Sequence, residues 1–336
     1  MSWVMPAETA LQDRVWMAFP PSGYLLGDST EDAHEARAAW TAVAHAVLEF
    51  EPVTMVVDPA DLETARTYLS ADIELLPVPL DDAWMRDMGP TFVRGTDGSV
   101  AGVDWVFNGW GAQEWARWDR DQHVARAVLA HVGLEVVPSP LVNEGGGFHV
   151  DGAGAVLVTD TVQLDPGRNP GLGRADVEAE LRRTLGVDDV VWVPRGLTRD
   201  SERFGTRGHI DIVATFPSPG VLLVHDQRDE SHPDAAVMRD VRAALGTRWE
   251  IVDLPAPTGL RDAEGWVDHS YVNHLVVNGG VITCAFDDPH DADAAAILAD
   301  AYPGRTVRSV DARPLFARGG GVHCITQQQP SAQALP

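Results

Sequence analysis

The chain is 336 residues long and 45% hydrophobic, with a mean hydropathy of -0.11 and a formal net charge of -25. Such acidity argues against nucleic acid and anionic membranes as partners and suits a small cationic ligand, although solubility alone would also account for it. All 25 Lys+Arg positions are arginine; a chain without ammonium side chains cannot run Schiff-base, pyridoxal-phosphate, Walker-A or Ser-x-x-Lys chemistry.

No run approaches the ~18 apolar residues of a membrane span. Residues Met1 to Glu8 carry neither the basic nor the apolar region of a secretory signal. Cys284 and Cys324 are the only cysteines, which is no disulfide framework. A cytoplasmic location is expected.

In chain order, Arg14 to Phe19 reads as a strand stopped by Pro20-Pro21. A helix over about 30–50 follows, with Ala36, Ala39, Trp40, Val43 and Val47 at helical spacing. Strand (53–57), helix (59–69) and strand (73–79) come next. From here a pattern repeats: a helix, a short strand, a polar motif and a hairpin. Helices begin near residues 59, 120, 174, 235 and 291, and strands follow at 73–76, 134–137, 190–193, 249–252 and 305–308. The hairpins pair 91–93 with 103–105, 147–150 with 155–158, 210–214 with 221–224, and 272–276 with 281–284. Only 322–325 remains for a fifth module, and the N-terminal strand could complete it. A period of roughly 50–60 residues predicts a circular array of five α/β modules. This is a single domain over 1–330, closed by the N-terminal strand, with a loose tail at 331–336. A doubly wound α/β sheet is the alternative.

Polar motifs recur at one place in the modules: Trp84-Met85-Arg86-Asp87, Asn143-Glu144-Gly145-Gly146, Gly208-His209-Ile210-Asp211, and Gly319-Gly320-Gly321-Val322-His323-Cys324. In the remaining module the equivalent stretch is Trp266 to His274. In a ring, equivalent positions converge on the axis. His209 and Asp211 are two apart and would share one face of a strand. Cys324, after three glycines that free the backbone, is either a packed strand residue or a nucleophile. A thiol with a histidine proton carrier, among carboxylates able to grip a planar cation, suits attack on a guanidinium carbon. Loss of ammonia and hydrolysis of the thiouronium would then give a ureido product. The residues read as a cysteine-dependent guanidine deiminase.

These motifs, together with Thr91-Phe92-Val93, Ser270-Tyr271-Val272-Asn273, Ile325 to Pro330, Met5-Pro6-Ala7-Glu8, Trp16-Met17-Ala18 and Phe107-Asn108-x-Trp110-Gly111, resemble the agmatine deiminase / bacterial peptidyl-arginine deiminase family. The resemblance implies a five-bladed α/β propeller (pentein) fold. It also implies agmatine as substrate, a place in putrescine formation and no cofactor. It makes Cys324 the nucleophile, His209 the general acid/base, and Asp87 and Asp211 the clamp on the guanidinium nitrogens. Glu144 would orient His209 or the attacking water. Asn273, Gly320 and Gly321 would line the pocket, and Trp110 or Trp84 would pack on the alkyl chain.

Other residues have simpler readings. Cys284 is expected in the core, and His323 to point to the opposite strand face from Cys324 in a structural role. Trp115 is expected mainly to pack. His149, His269 and His274 fall at no zinc-ligand spacing, so no metal is expected, and a metal hydrolase using His209 and Asp211 is a lesser alternative. A non-catalytic guanidinium-binding propeller is another. The segment from Arg195 to Arg207 holds four arginines, whereas the family carries an acidic run here. If Arg203 or Arg207 faces the pocket mouth, a carboxylate-bearing guanidino compound or peptidyl-arginine would replace agmatine. The sequence leaves open a homo-oligomer.

Overall fold

The computed structural model describes residues 2–332; residues 333–336 of the tail expected to be loose lie outside the described residues. The fold is mixed α/β, built from several small sheets. Val100–Val106, Ala155–Thr159, Val221–Asp226 and Gly280–Ala285 each form the second strand of an antiparallel hairpin. Each of these strands also pairs in parallel with the strand that follows the next helix: Glu135–Val142, Asp189–Val193, Glu250–Pro255 and Thr306–Asp311. The intervening helices are Val124–Val132, Arg174–Leu185, Pro233–Leu245 and Asp291–Ala301. A separate two-stranded ribbon joins Arg261–Asp262 to Gly265–Trp266. Among the described residues there is no long parallel sheet of the doubly wound kind.

The remaining large sheet is formed by distant parts of the chain. Thr326–Pro330 pairs antiparallel with Gln12–Ala18, which continues in parallel to Val53–Val57 and Glu74–Pro77. The strand near the N-terminus thus pairs with the last strand of the described chain, and Trp16 Nε1 donates to Gln329 Oε1 at 2.9 Å across the pairing. Val53–Val57 and Ala155–Thr159 are buried at every position. Strands covered on both faces read as unbroken apolar runs, which is why they showed no alternation.

Helix Thr30–Leu48 starts at a capping box in which Ser29 Oγ accepts from Asp32 N and Asp32 accepts from Ser29 N. Its face of Ala36, Ala39, Trp40, Val43 and Val47 is buried as its spacing predicts. Trp40 meets Trp84 edge-on, with centroids 5.4 Å apart, so this helix props the turn that carries Asp87. Val124–Val132 and Arg174–Leu185 end at Gly133 and Gly186, both left-handed.

Three segments read as strands begin later than expected. Ile210–Ile212 is a 3₁₀ turn and its strand starts at Ala214; Val272 and Asn273 are turn residues before Leu275; 322–325 is a turn before Thr326. The apolar members of these stretches (Ile210, Ile212, Val272, Val322 and Ile325) are buried, which gave them the appearance of strands. As turns, they let their polar neighbours leave the end of a sheet instead of alternating across its faces. Among the described residues, no helix is long and apolar enough to cross a membrane.

Trp40 is fully buried, so Trp40→Ala should destabilise the protein by about 3–5 kcal/mol. Denaturant unfolding checks this through a lowered midpoint at an unchanged slope.

Candidate active site

Asp87 lies on the short helix Met85–Met88, Glu144 just before the glycine turn Gly145–Gly147, and His209 and Asp211 around the turn Ile210–Ile212. Cys324 follows the three glycines. Gly146 marks the point where these groups meet. A Cβ on it would lie 2.4 Å from His209 Nδ1 and 3.1 Å from both Asp87 Oδ1 and Asp211 Oδ2. No side chain fits there, so glycine is required by close approach.

The glycines before Cys324 act in two ways. Gly319 adopts φ 118, a conformation L side chains rarely take. Gly320 and Gly321 instead pack tightly: a Cβ would meet the Trp84 ring at 2.9 Å and Cys324 Sγ at 3.0 Å, or Asn273 Oδ1 at 2.4 Å. Asn273 Nδ2 donates to the Cys324 sulfur at 3.2 Å, an amide orientation fixed by His323 N donating to Asn273 Oδ1 at 3.0 Å. The sulfur lies 3.5 Å from Asp211 Oδ2. Burial, and then Asp211 and Asp87, push the Cys324 thiol well above its ordinary range. Without a bound cation it is therefore a thiol.

Each carboxylate has a distinct environment. Asp87 accepts from Trp110 Nε1 at 2.8 Å and from Gly146 N at 3.0 Å, and lies 3.9 Å from His209 Nδ1. Burial, reinforced by Glu144 and Asp211, raises it to about 6 against the pull of His209. Glu144 is gripped by Arg168, whose Nε is 3.0 Å from both oxygens, and stands 3.3 Å from His209 Nε2. Burial opposes its charge, yet Arg168 and His209 hold it below the usual carboxylate range. Asp211 is also lowered despite burial, by His323, His209 and Arg86. Its Oδ2 contacts His323 Nδ1 at 2.9 Å, while Oδ1 is buried with no hydrogen-bond partner. Burial disfavours a charged His209, but Asp87, Glu144 and Asp211 outweigh that and raise it to about 9. The resting site therefore pairs an imidazolium with a neutral thiol.

A small cavity of about 20 Å³ reaches Cys324 between Asp87, Trp84, Trp110, Trp115 and Phe204. Trp84, Trp115, Phe204, Arg318 and Gly319 also border an outer cleft of about 460 Å³. Trp115 stacks on Trp110 with centroids 5.4 Å apart, and Trp110 sits at φ 56, an unusual conformation for a bulky residue. Strain of this kind persists where the surroundings impose it; here the indole N–H is delivered to Asp87.

The geometry thus gathers Asp87, Glu144, His209, Asp211, Asn273 and Cys324, with Trp84 and Trp110 at the cavity. Gly320 and Gly321, expected to line the pocket, are the packing partners of Trp84, Cys324 and Asn273. His323 does not point away from the site as strand alternation required, because it lies in a turn and reaches Asp211. Cys284 is buried in Gly280–Ala285, donates to the Asn273 carbonyl at 3.1 Å, and is pushed by burial up to about 12. His149 bonds Thr215 and Phe216, His274 bonds Tyr302 and Tyr271, and His269 stacks on Phe286.

Two supports had no sequence signal. Arg168 sits in an ordinary Asp165-Pro166-Gly167 turn, yet its side chain is completely buried against Glu144. Asp200, in the arginine-rich segment, accepts from the backbone of Thr206, Gly208 and His209 rather than from an arginine.

Gly146→Ala should lower kcat/KM by about 100-fold or more, since a misplacement near 1 Å suffices for that. Steady-state kinetics beside a melting curve would test it, with the loss in rate expected to exceed any loss of fold.

Residues 4–330 match the model of the Porphyromonas-type peptidyl-arginine deiminase family. A Streptomyces coelicolor protein, provisionally named an agmatine deiminase, is 54% identical over 98% of this chain and 99% of its own. The agmatine deiminase of Ectopseudomonas mendocina is 41% identical over 98% of this chain and 96% of its own. The solved structure of Enterococcus faecalis agmatine deiminase matches with a TM-score of 0.91 at 31% identity, covering 99% of this chain and 97% of that one. With the family match running through nearly the whole chain, this protein belongs to the Porphyromonas-type peptidyl-arginine deiminase family.

Proposed function

We propose that the protein is a cysteine-dependent agmatine deiminase, converting agmatine and water to N-carbamoylputrescine and ammonia. The observation that carries this reading is Asp211 Oδ1, a buried acceptor without a donor in a cluster of carboxylates beside a thiol. A guanidinium offers the missing N–H, and its fixed fork can be shared between Asp211 and Asp87. Relatives that carry the agmatine deiminase name support agmatine as the guanidinium compound.

The proposed roles follow from the charges. Asp87 and Asp211 hold the cation, and its arrival offsets the carboxylates that keep Cys324 protonated, so the thiol ionises once substrate is bound, releasing its proton to solvent and regaining one when product leaves. The thiolate adds to the central carbon and forms a neutral tetrahedral adduct. His209, already imidazolium, gives its proton to an amino group, which leaves as ammonia. The S-alkylthiouronium cation and a neutral imidazole remain. Water then adds as His209 takes its proton, and collapse breaks the C–S bond, returning the thiolate and the ureido product. The hydroxyl proton lost in that collapse balances ammonia as ammonium. Glu144, fixed by Arg168, orients His209; Asn273 supports the sulfur, and Trp84 and Trp110 flank the substrate.

The outer cleft would take the substrate tail. It is lined by Asp32, Glu35, Asp82, Glu264 and Asp268 together with Arg199, Arg203 and Arg318. Arg199 is paired with Asp262 and Glu264, and Arg318 with Glu35. Burial raises Asp82 and Asp268 to about 7, so at neutral pH a small acidic surplus remains, and it favours an ammonium tail. Arg203 favours a second reading: it lines the cleft beside the Phe204 ring, where it would welcome a carboxylate-bearing guanidino compound or peptidyl-arginine. Arg207 is exposed.

On the fold, we read the five large sheets as the five blades of a pentein-type α/β propeller, with 1–330 acting as one domain. The two free cysteines suit a reducing cytoplasm.

Comparing kcat/KM for agmatine, arginine and 4-guanidinobutyrate tests the tail. Agmatine should be preferred, and a preference for the guanidino acid would favour the Arg203 reading. Cys324→Ala should lose at least about 10⁴-fold in kcat. Loss of activity in EDTA with rescue by zinc would instead support a metal hydrolase. The pH profile should be bell-shaped. Asp87 loses its charge as pH falls through about 6, and His209 loses its acid proton as pH rises through about 9. Activity that keeps rising through the upper limit would contradict His209 as the acid.

A further inference from the structure

We propose that Glu8 and His323 are positioning residues for the guanidinium clamp: together they hold the Asp211 carboxylate so that one oxygen is tied off and the other is presented to substrate. The inference rests on the reading that Asp211 binds the guanidinium. It gives a task to Met5-Pro6-Ala7-Glu8, a stretch the reaction itself does not use.

The ground is a short buried chain of contacts. His323 Nε2 lies 2.8 Å from Glu8 Oε1, and His323 Nδ1 lies 2.9 Å from Asp211 Oδ2. Glu8 and His323 stand 315 positions apart in the chain, so the contact exists only in the folded protein. Both carboxylates are held below the usual range against the effect of burial, Glu8 mainly by His323 and Arg86. Ionised carboxylates only accept, so both ring nitrogens must donate and His323 is an imidazolium.

The surrounding groups favour that charge state. Arg86 Nη1 is 3.5 Å from Glu8 Oε1 and donates to Gln328 Oε1 at 2.8 Å, while Arg86 Nε donates to the His323 carbonyl at 3.3 Å. Glu8, Arg86, His323 and Asp211 thus form a set with no net charge. His149 is the other imidazole near Glu8, at 3.8 Å. Its Nδ1 accepts from Phe216 N, leaving a proton only on Nε2 toward Thr215, so it adds no cation. His274 is occupied by Tyr271 and Tyr302.

This chain has two effects on Asp211. An aspartate χ2 is otherwise broad, and one strong bond fixes the carboxylate plane, leaving Oδ1 as the available acceptor. The bond also draws negative charge from Oδ2, the oxygen nearest the Cys324 sulfur. That lowers the repulsion a thiolate would meet.

The test measures kcat/KM for agmatine, the inactivation rate by 2-chloroacetamidine (an amidinium that alkylates a thiol) and the melting temperature. His323→Leu should reduce both rates about 10–100-fold. His323→Asn keeps a donor at the Nδ1 position and should recover most of that loss, while Glu8→Gln should show a smaller loss of the same kind. In an Asp211→Asn background, His323→Leu should cost nothing further. Equal losses in both backgrounds, or a lowered melting temperature with wild-type rates, would overturn the positioning role. Wild-type rates in Asp211→Asn alone would overturn the clamp and the proposal built on it.

Discussion

Placing several carboxylates in one buried pocket is the constraint on which the rest of this structure depends. Asp87, Glu144, Asp211 and Glu8 are all nearly inaccessible to solvent. Unpaired, each would be neutralised or would destabilise the fold by several kcal/mol. The chain supplies Arg168 to Glu144, Arg86 to Glu8, and imidazoles to the others, all from different parts of the fold. Arginine suits this use because its guanidinium stays charged and its fork fits a carboxylate. The result is a graded site, with Asp87 raised, Asp211 and Glu144 lowered, and His209 held as a cation between them. One arrangement keeps the thiol protonated beside an imidazolium.

Close approach is the second requirement, and it explains where the glycines fall. Gly146, Gly320 and Gly321 stand where functional atoms crowd within about 3 Å of a would-be Cβ. Gly319 is different, being set by its backbone angle. The site therefore rests on turns at the ends of sheets, stiffened by aromatic packing from Trp40 through Trp84 and from Trp115 through Trp110. Rigid elements carry the frame, and the turns aim the chemistry.

Much of this was legible in the sequence because two periodicities agreed. The helix-and-hairpin repeat gave the order of elements, and the polar motifs occupied equivalent places within it. The misreadings share one cause. Ile210, Val272 and Val322 are apolar for burial in turns, and apolar content alone does not distinguish a buried turn from a strand. For His209 and Asp211 the error was harmless, since a tight turn also brings them together. For His323 it inverted the conclusion, because alternation along a strand does not apply in a turn. Arg168 and Glu8 were illegible in role for another reason: their partners, at Glu144 and His323, are set by tertiary structure alone.

The pairing of Thr326–Pro330 with Gln12–Ala18 has a kinetic side. Trp16 and Gln329, which bond across it, are 313 positions apart. Contacts of such long range are costly in chain entropy and tend to slow folding. The turn that holds Cys324 leads directly into that final strand, and its neighbours Asn273 and Asp211 are themselves 51 and 113 positions away. Those contacts are tertiary, so the surroundings that hold the Cys324 thiol above its ordinary range are a property of the folded protein alone.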